Sequence, residues 1–182
     1  MHYDTEINQY ALVAYVPDPL GSYLDGLRAE LAPSMNPGRS HITLLQPRPL
    51  AGDPRGVWSR LQRNTRDFSS FEIDATDVDT FDDSGVVYLS IGSGSGELEQ
   101  MHLRLNVDGA AHVEPYPFLP HITVAQGLEG RRLEEAASQA KQYWADYDGP
   151  RSFRASRFHF VQYTVRGLWL DLDHVDLSGQ AG

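Results

Sequence analysis

The alternation of hydrophobic and polar positions divides the chain into blocks that predict strands and helices. Runs that are apolar or alternate with period two, and that are rich in β-branched and aromatic residues, are typical of strands. Seven segments have this pattern: YALVAYVP (10–17), HITLLQ (41–46), SFEIDATDVDTF (70–81), VVYLSIG (86–92), HITVAQ (121–126), SFRASRFHFVQY (152–163) and GLWLDLD (167–173). The polar turn DDSG at 82–85 separates two of them, which predicts a hairpin.

The segments between these strands predict helices. Asp18 is a candidate N-cap, Pro19 suits a first helical turn, and four leucines follow at helical spacing. The predicted helices are 18–32, a segment beginning at the pair Asp53-Pro54, a segment entered through the glycine-serine loop at 92–96, and 129–149, which Gly149 ends. Strands and helices therefore alternate along the chain.

The second half of the chain repeats the pattern of the first half. Equivalent landmarks lie 80 or 82 residues apart: His41 and His121, Phe71 and Phe153, Phe81 and Tyr163, Gly85 and Gly167. This self-similarity predicts a duplicated unit of strand, helix, histidine strand, helix and strand, with repeats of about 10–84 and 86–173. We therefore expect an α+β fold in one domain over residues 1–182. Its two pseudo-symmetric lobes should place antiparallel sheets facing a central cleft, with the helices outside.

Composition and charge narrow the classes of function. The chain is 41% apolar and has no run near the roughly 20 apolar residues that a membrane span needs. Asp4 and Glu6 give the N-terminus the wrong charge for a signal peptide, and the lack of cysteine excludes disulfides and thiolate chemistry. The net charge of −10 disfavours binding of a long nucleic-acid duplex, but it leaves room for a local phosphate site. We expect a cytoplasmic monomer with no membrane partner.

The triplet His-Ile-Thr occurs twice, at 41–43 and at 121–123. Alternate residues of a strand share a face, so each histidine points to the same side as its threonine. Seven His and seven Thr in 182 residues give about 0.3 His-x-Thr triplets by chance, which makes two copies at equivalent places of a repeat informative. If both strands border the cleft, two imidazoles and two hydroxyls surround one small volume.

That set of groups suits the chemistry of a phosphodiester. A neutral imidazole can take a proton from the attacking water, a protonated one can give a proton to the leaving oxygen, and hydroxyls can bind the non-bridging oxygens. No cofactor or metal is needed, and two His with two Thr make a poor ligand set for zinc. The alternative is that each histidine is an ordinary hydrogen-bonded strand residue.

HITL at 41–44 and PFLPHITV at 117–124 resemble the paired His-x-Thr-x motifs of the two-histidine (2H) phosphoesterase superfamily, in particular its 2′-5′ RNA ligase-like (LigT-like) branch. The resemblance covers essentially the whole chain. It implies the bilobed fold and metal-independent chemistry on 2′,3′-cyclic phosphate or 2′-5′ phosphodiester ends of RNA or nucleotides, with reverse ligation also permitted. It also implies that His41 and His121 are the acid/base pair and that Thr43 and Thr123 hold the phosphate. An RNA terminus or a cyclic nucleotide is then the expected partner.

Other residues near the motifs are candidate substrate contacts. LigT-like members often carry an arginine shortly after the second motif, where this chain has Gln126, with Gln46 as its counterpart. Glutamine can donate a hydrogen bond but supplies no charge, which leaves the choice of substrate open. If they do not contact substrate, the two glutamines mark the ends of their strands. The remaining candidates are Arg39 and Arg48, which could equally be surface residues, and Phe118 and Tyr163, which could stack on a base or belong to the core. The alternative function is a non-catalytic module that binds a nucleotide or RNA end in the same cleft.

Overall fold

The computed structural model describes residues 6–33, 38–165 and 167–179 of the chain. This part forms eight strands and four α-helices. In chain order they are β1 (Glu6–Tyr15), α1 (Leu20–Leu31), β2 (His41–Arg48), α2 (Pro54–Thr65), β3 (Phe71–Phe81), β4 (Val86–Ile91), α3 (Ser95–Leu105), β5 (His121–Ala125), α4 (Arg131–Asp146), β6 (Ser152–Ala155), β7 (Arg157–Thr164) and β8 (Trp169–Asp176). No helix in the described part combines the length and the apolar character that crossing a bilayer requires.

Aspartates stabilise the first turns of α1 and α2. The Asp53 carboxylate accepts a hydrogen bond from the backbone N–H of Gly56 at 2.9 Å, the geometry of an N-cap. Helix α1 begins at Leu20, two residues later than predicted. Asp18 still accepts bonds from the backbone N–H and the hydroxyl of Ser22, at 3.0 and 2.6 Å. It therefore caps the first turn from outside the helix and is not itself the N-cap.

Two predicted segments end earlier than their sequence indicated. Helix α4 ends at Asp146 and not at Gly149, because Tyr147 already has an extended backbone with φ −71° and ψ 117°. The segment predicted as one strand over 152–163 breaks at Ser156 into β6 and β7. The break is needed because β6 pairs with β3, whereas β7 pairs with β1 and β8 in the other half of the sheet.

All eight strands form one sheet in the order β6-β3-β4-β5-β2-β1-β7-β8, and every neighbouring pair in it is antiparallel. The predicted α+β class and the antiparallel pairing are confirmed, and the two expected sheets are the two four-stranded halves of this continuous sheet. The halves meet at β2 and β5, where Ile42 lies opposite Ile122. The strand order is symmetric about this pair. Moving outward from the centre, β2 is followed by β1, the first strand of the first repeat, and β5 is followed by β4, the first strand of the second repeat.

Each half of the sheet contains strands from both repeats. β3 belongs to the first repeat and pairs with β4, and β7 belongs to the second repeat and pairs with β1. The helices are exchanged in the same way: α1 packs on α4 and β5, whereas α2 packs on α3, which covers β2. Neither repeat buries its apolar surface without the other, so the shared strands set the orientation of the two halves.

The repeated glycine landmarks close equivalent hairpins. Gly85, between β3 and β4, has φ 64°, and Gly167, between β7 and β8, has φ 72°. Both values lie in the left-handed region that favours glycine. A Cβ at Gly85 would also lie 2.0 Å from the carbonyl oxygen of Leu128. The 82-residue spacing of these glycines therefore reflects a backbone requirement at the same point of each repeat.

Candidate active site

The pairing of β2 with β5 brings the two His-Ile-Thr motifs side by side. Because Ile42 lies opposite Ile122 in an antiparallel register, each histidine has the threonine of the other motif as its neighbour. Both isoleucines are fully buried in the core, and the polar side chains share the other face of the sheet. Directly opposed Cβ atoms lie about 4.5–5.5 Å apart and diagonal neighbours about 7–8 Å. The resulting His–Thr group consists of His41, Thr43, His121 and Thr123, with the histidines at diagonal corners.

Both imidazoles are oriented by the backbone two residues before them. Nδ1 of His41 lies 2.7 Å from the carbonyl oxygen of Arg39, and Nδ1 of His121 lies 2.7 Å from that of Leu119. A carbonyl oxygen only accepts, so each Nδ1 carries the hydrogen and each Nε2 is the acceptor of the neutral ring. The fold thus presents two equivalent Nε2 acceptors.

Burial keeps both imidazoles uncharged in the free protein. Ring centroids of Trp169 and Tyr15 lie 4.6 and 6.4 Å from that of His41, and those of Phe81 and Tyr88 lie 5.1 and 5.3 Å from that of His121. Burial lowers the pKa of His41 from 6.5 to about 4, and it also lowers the pKa of His121. Both rings are therefore neutral at pH 7 and able to accept a proton.

A cleft of about 500 Å³ opens beside His41. Its lining residues are Tyr15, Arg28, Gly38, Arg39, His41, Thr43, Pro47, Thr123, Gln126, Tyr163, Gly167, Leu168, Trp169 and Asp171. In the described part of the chain, all of them except Arg28 on α1, Thr123 on β5 and Gln126 belong to β2, β1, β7 and β8 on the same half of the sheet, or to the loops that adjoin these strands. On the opposite side, Phe81 stacks on Tyr88 with centroids 4.0 Å apart, so aromatic rings occupy the space beside His121. The cleft is therefore asymmetric although the motifs are symmetric.

Two arginines bring positive charge to this acidic protein at the cleft. The guanidinium of Arg39 lies over the ring of Tyr15, 4.0 Å from its centroid. Arg28 is 8% exposed and donates to the carbonyl oxygen of Gly38 at 2.6 Å, and it lies 3.6 Å from Asp25. Charges held in a partly buried cleft act more strongly than charges on the open surface, but Asp25 offsets part of the Arg28 charge and the Asp171 carboxylate also lines the cleft. The cleft therefore combines cations with a carboxylate, in a protein whose net charge is −10.

The profile of the 2′-5′ RNA ligase superfamily matches residues 16–167. The chain belongs to this superfamily. The resemblance read from the two motifs is thereby confirmed, and the matched region contains both His-Ile-Thr strands and most of the cleft.

Relatives and solved structures agree with this placement in the superfamily. A protein named "Putative phosphoesterase" from Staphylococcus epidermidis is 31% identical over 77 residues, 42% of this chain and 45% of that protein. A second, from Staphylococcus haemolyticus, is 26% identical over 91 residues, 50% of this chain and 53% of that protein. The chain therefore spans about half the length of these curated relatives. The crystal structure of E. coli LigT in apo form matches with a TM-score of 0.67 at 18% identity, covering 94% of this chain and 98% of LigT, which shows a shared fold.

Three of the predicted substrate contacts line the cleft and a fourth does not. Arg39, Tyr163 and Gln126 line the cleft. Gln46 is exposed and is not part of the lining, and β2 continues beyond it to Arg48, so it does not mark the end of the strand either.

Two other predicted contacts are structural residues. Arg48 is 1% exposed and forms an ion pair with Glu114 and a hydrogen bond to Asn106 at 2.6 Å, so the prediction that it steers a substrate or lies on the surface is wrong. The ring of Phe118 stacks on His102 at 4.0 Å between centroids and packs against the core. Its core interpretation is therefore the correct one. Both residues pack on the helix side of the sheet, a location that proximity to the motif in sequence could not reveal.

Sequence reasoning missed eight of the residues that line the cleft in the described part of the chain, among them the aromatic or charged residues Tyr15, Arg28, Trp169 and Asp171. One signal for Trp169 was available. Tyr163 was already a candidate, and the hairpin closed at Gly167 pairs Tyr163 with Trp169. Arg28 gave no such signal, because a helix position does not reveal which strand the helix covers.

Proposed function

We propose that this protein is a phosphodiesterase that opens 2′,3′-cyclic phosphates, or cleaves 2′-5′ phosphodiester bonds, at RNA ends or in nucleotides. The reaction uses His41 and His121 as a paired acid and base, with no metal or cofactor. The observation that carries the proposal is the His–Thr group, in which two equally oriented imidazoles lie diagonally across two hydroxyls. Membership of the 2′-5′ RNA ligase superfamily supports phosphodiesterase-type activity.

The two motifs supply equivalent side chains, and each side chain has a separate role in the reaction. One neutral Nε2 takes a proton from water as the water oxygen bonds to phosphorus, and the other imidazole, protonated, donates to the ribose oxygen as its bond to phosphorus breaks. The hydroxyls of Thr43 and Thr123 donate to the non-bridging oxygens, whose negative charge grows in the transition state. The near-identical strands leave open which histidine is the acid.

The substrate supplies the charge that makes one imidazole an acid. Burial keeps both rings neutral in the free protein, because desolvation disfavours the charged form and lowers the pKa of each. A bound phosphodiester anion stabilises the protonated imidazole next to it. It therefore raises the pKa of that histidine toward neutral pH. The rate should therefore depend on pH as a bell-shaped curve that reports one acid and one base in the complex.

A hydrolysis panel in the presence of a chelator tests the proposal. The substrates are 2′,3′-cyclic mononucleotides, RNA with a cyclic-phosphate end, 2′-5′ dinucleotides and cyclic ADP-ribose phosphate. We expect turnover of at least one class, with His41→Ala and His121→Ala each reducing the rate about 10²–10⁴-fold. His112→Ala is the matched control, because His112 is exposed and does not line the cleft.

Three outcomes would contradict the proposal. Full activity in either single variant would remove the paired mechanism, and activity that requires added metal would remove its metal independence. Binding of a cyclic nucleotide without turnover would favour the non-catalytic module instead. The reverse step is measured separately, by incubating RNA halves that end in a cyclic phosphate and a 5′-hydroxyl and looking for joined product.

A further inference from the structure

The wall of the cleft beyond His41 carries a carboxylate that the catalytic chemistry does not use. Asp171 lines the cleft with its side chain 47% exposed, and its Oδ1 accepts a hydrogen bond from the Tyr15 hydroxyl at 2.5 Å. The backbone of Tyr15 is the register partner of His41. Asp171 therefore lies about one tyrosine side chain away from His41.

An irregularity in the β7–β8 ladder places this carboxylate in the cleft. Phe160 pairs with Asp173 and Val161 pairs with Asp171, so β8 has one more residue than β7 between these pairs. Simple alternation would put the two aspartates on one face. Instead Asp173 accepts a hydrogen bond from the indole N–H of Trp58 on helix α2 at 2.7 Å, while Asp171 faces the cleft. Bulges of this kind redirect side chains near active sites.

Flat rings adjoin the carboxylate on the same wall. The Trp169 centroid lies 4.6 Å from that of His41 and 5.3 Å from that of Tyr163, and both residues line the cleft. The guanidinium of Arg39 adds another planar group, over the ring of Tyr15. Aromatic rings and arginine planes are the surfaces on which proteins stack unpaired bases.

We propose that this wall is a guanine-binding subsite, in which the base stacks on Trp169 and Asp171 accepts its N1–H and 2-amino hydrogens. The inference rests on the proposed function. A carboxylate only accepts hydrogen bonds and offers about four acceptor positions. The Tyr15 hydroxyl takes one of them on Oδ1, and Nδ1 of His159 lies 3.9 Å from Oδ2, beyond hydrogen-bonding distance, so both oxygens keep acceptor positions. Guanine presents two adjacent N–H donors, which match the two oxygens of the Asp171 carboxylate. Adenine and cytosine place a ring nitrogen acceptor beside the amino group, and uracil places its one N–H between carbonyls.

The experiment compares kcat/KM for the 2′,3′-cyclic phosphates of guanosine, inosine, adenosine, cytidine and uridine. We expect guanosine to exceed the other natural bases by about tenfold or more, the value of one good bidentate contact. Inosine lacks only the 2-amino group, so it should lose about tenfold relative to guanosine without any change to the protein. In Asp171→Asn the ratio of guanosine to adenosine should fall toward one.

The control and the contrary results separate this inference from the proposed function. Asp176→Asn changes an aspartate of the same strand that pairs with Arg157 outside the cleft lining, and it should keep the guanosine preference. Turnover with equal rates for guanosine and inosine, or an unchanged ratio in Asp171→Asn, would overturn the subsite and leave the phosphodiesterase standing. If no cyclic nucleotide is turned over, calorimetric titration with guanosine and inosine 3′-monophosphates still decides the subsite: about tenfold tighter binding of the guanosine form supports it, and equal binding overturns it.

Discussion

The neutral state of the half-buried His41 side chain makes a quantitative prediction for the pH dependence of stability. In the unfolded chain its pKa is about 6.5, and in the folded protein burial lowers it to about 4. Between these values the unfolded state binds one more proton at this position than the folded state, so the free energy of unfolding rises with pH. This contribution is fully present above pH 6.5 and is lost as the pH falls toward 4. Linkage gives a loss of about 2.5 kcal/mol between pH 7.5 and 4.5.

Replacing His41 by glutamine, which does not titrate, should remove this part of the pH dependence. Urea denaturation at pH 7.5, 6.5, 5.5 and 4.5 would give the free energy of unfolding of the wild type, of His41→Gln and of the exposed control His112→Gln. Any constant effect of losing the bond to the Arg39 carbonyl cancels when each protein is compared with itself across pH. We expect the wild type and His112→Gln to lose about 2.5 kcal/mol more than His41→Gln. Parallel curves of unfolding free energy against pH for all three proteins would show that His41 is not held neutral by burial. The proposed use of its neutral imidazole as a proton acceptor would then lose its support.

Three further outcomes follow from other contacts. Arg48→Ala should destabilise the protein by about 3–5 kcal/mol in urea denaturation, because it removes the arginine that pairs with the buried Glu114 carboxylate and leaves only His102 beside it, at 3.5 Å. The rate at temperatures well below unfolding should stay near that of the wild type. Thr43→Val and Thr123→Val should each lower kcat more than they raise KM if the hydroxyls bind charge that develops in the transition state; a change in KM alone would assign them to ground-state binding. Gln126→Arg should strengthen inhibition by inorganic phosphate about tenfold, less so at high salt, and no change would mean that residue 126 does not reach the phosphate.

Much of the secondary structure could be predicted because its signals are local. Every predicted strand segment and every predicted helix is present, and Asp53 caps the helix predicted to begin at the pair Asp53-Pro54. Apart from the shifted ends of α1 and α4, the error lies where neighbouring residues pair with different parts of the sheet. The split at Ser156 reflects strands that pair in different halves of the sheet, a constraint that the alternating pattern of residues 152–163 does not contain.

The candidate site shows the same difference between features set by local sequence and features set by distant contacts. Alternation along each strand was enough to place His41 on the same face as Thr43, and His121 on the same face as Thr123. It was not enough to place Arg48, which lies two residues beyond Gln46 but is buried with Glu114, or Phe118, which packs on His102. Burial of a long side chain depends on which distant segment covers it, and that segment cannot be found from neighbours in sequence.

By itself the sequence determined two copies of one His-Ile-Thr strand and the face on which each presents its imidazole. It also determined the kind of proton transfer that those groups permit, since all of this follows from side-chain chemistry and a two-residue period. The tertiary structure decided the rest. Pairing of Ile42 with Ile122 set which threonine neighbours which histidine, and one extra residue in β8 turned Asp171 into the cleft. Both are matters of register between segments far apart in the chain, and register is chosen by the packing of the whole sheet rather than by any single strand.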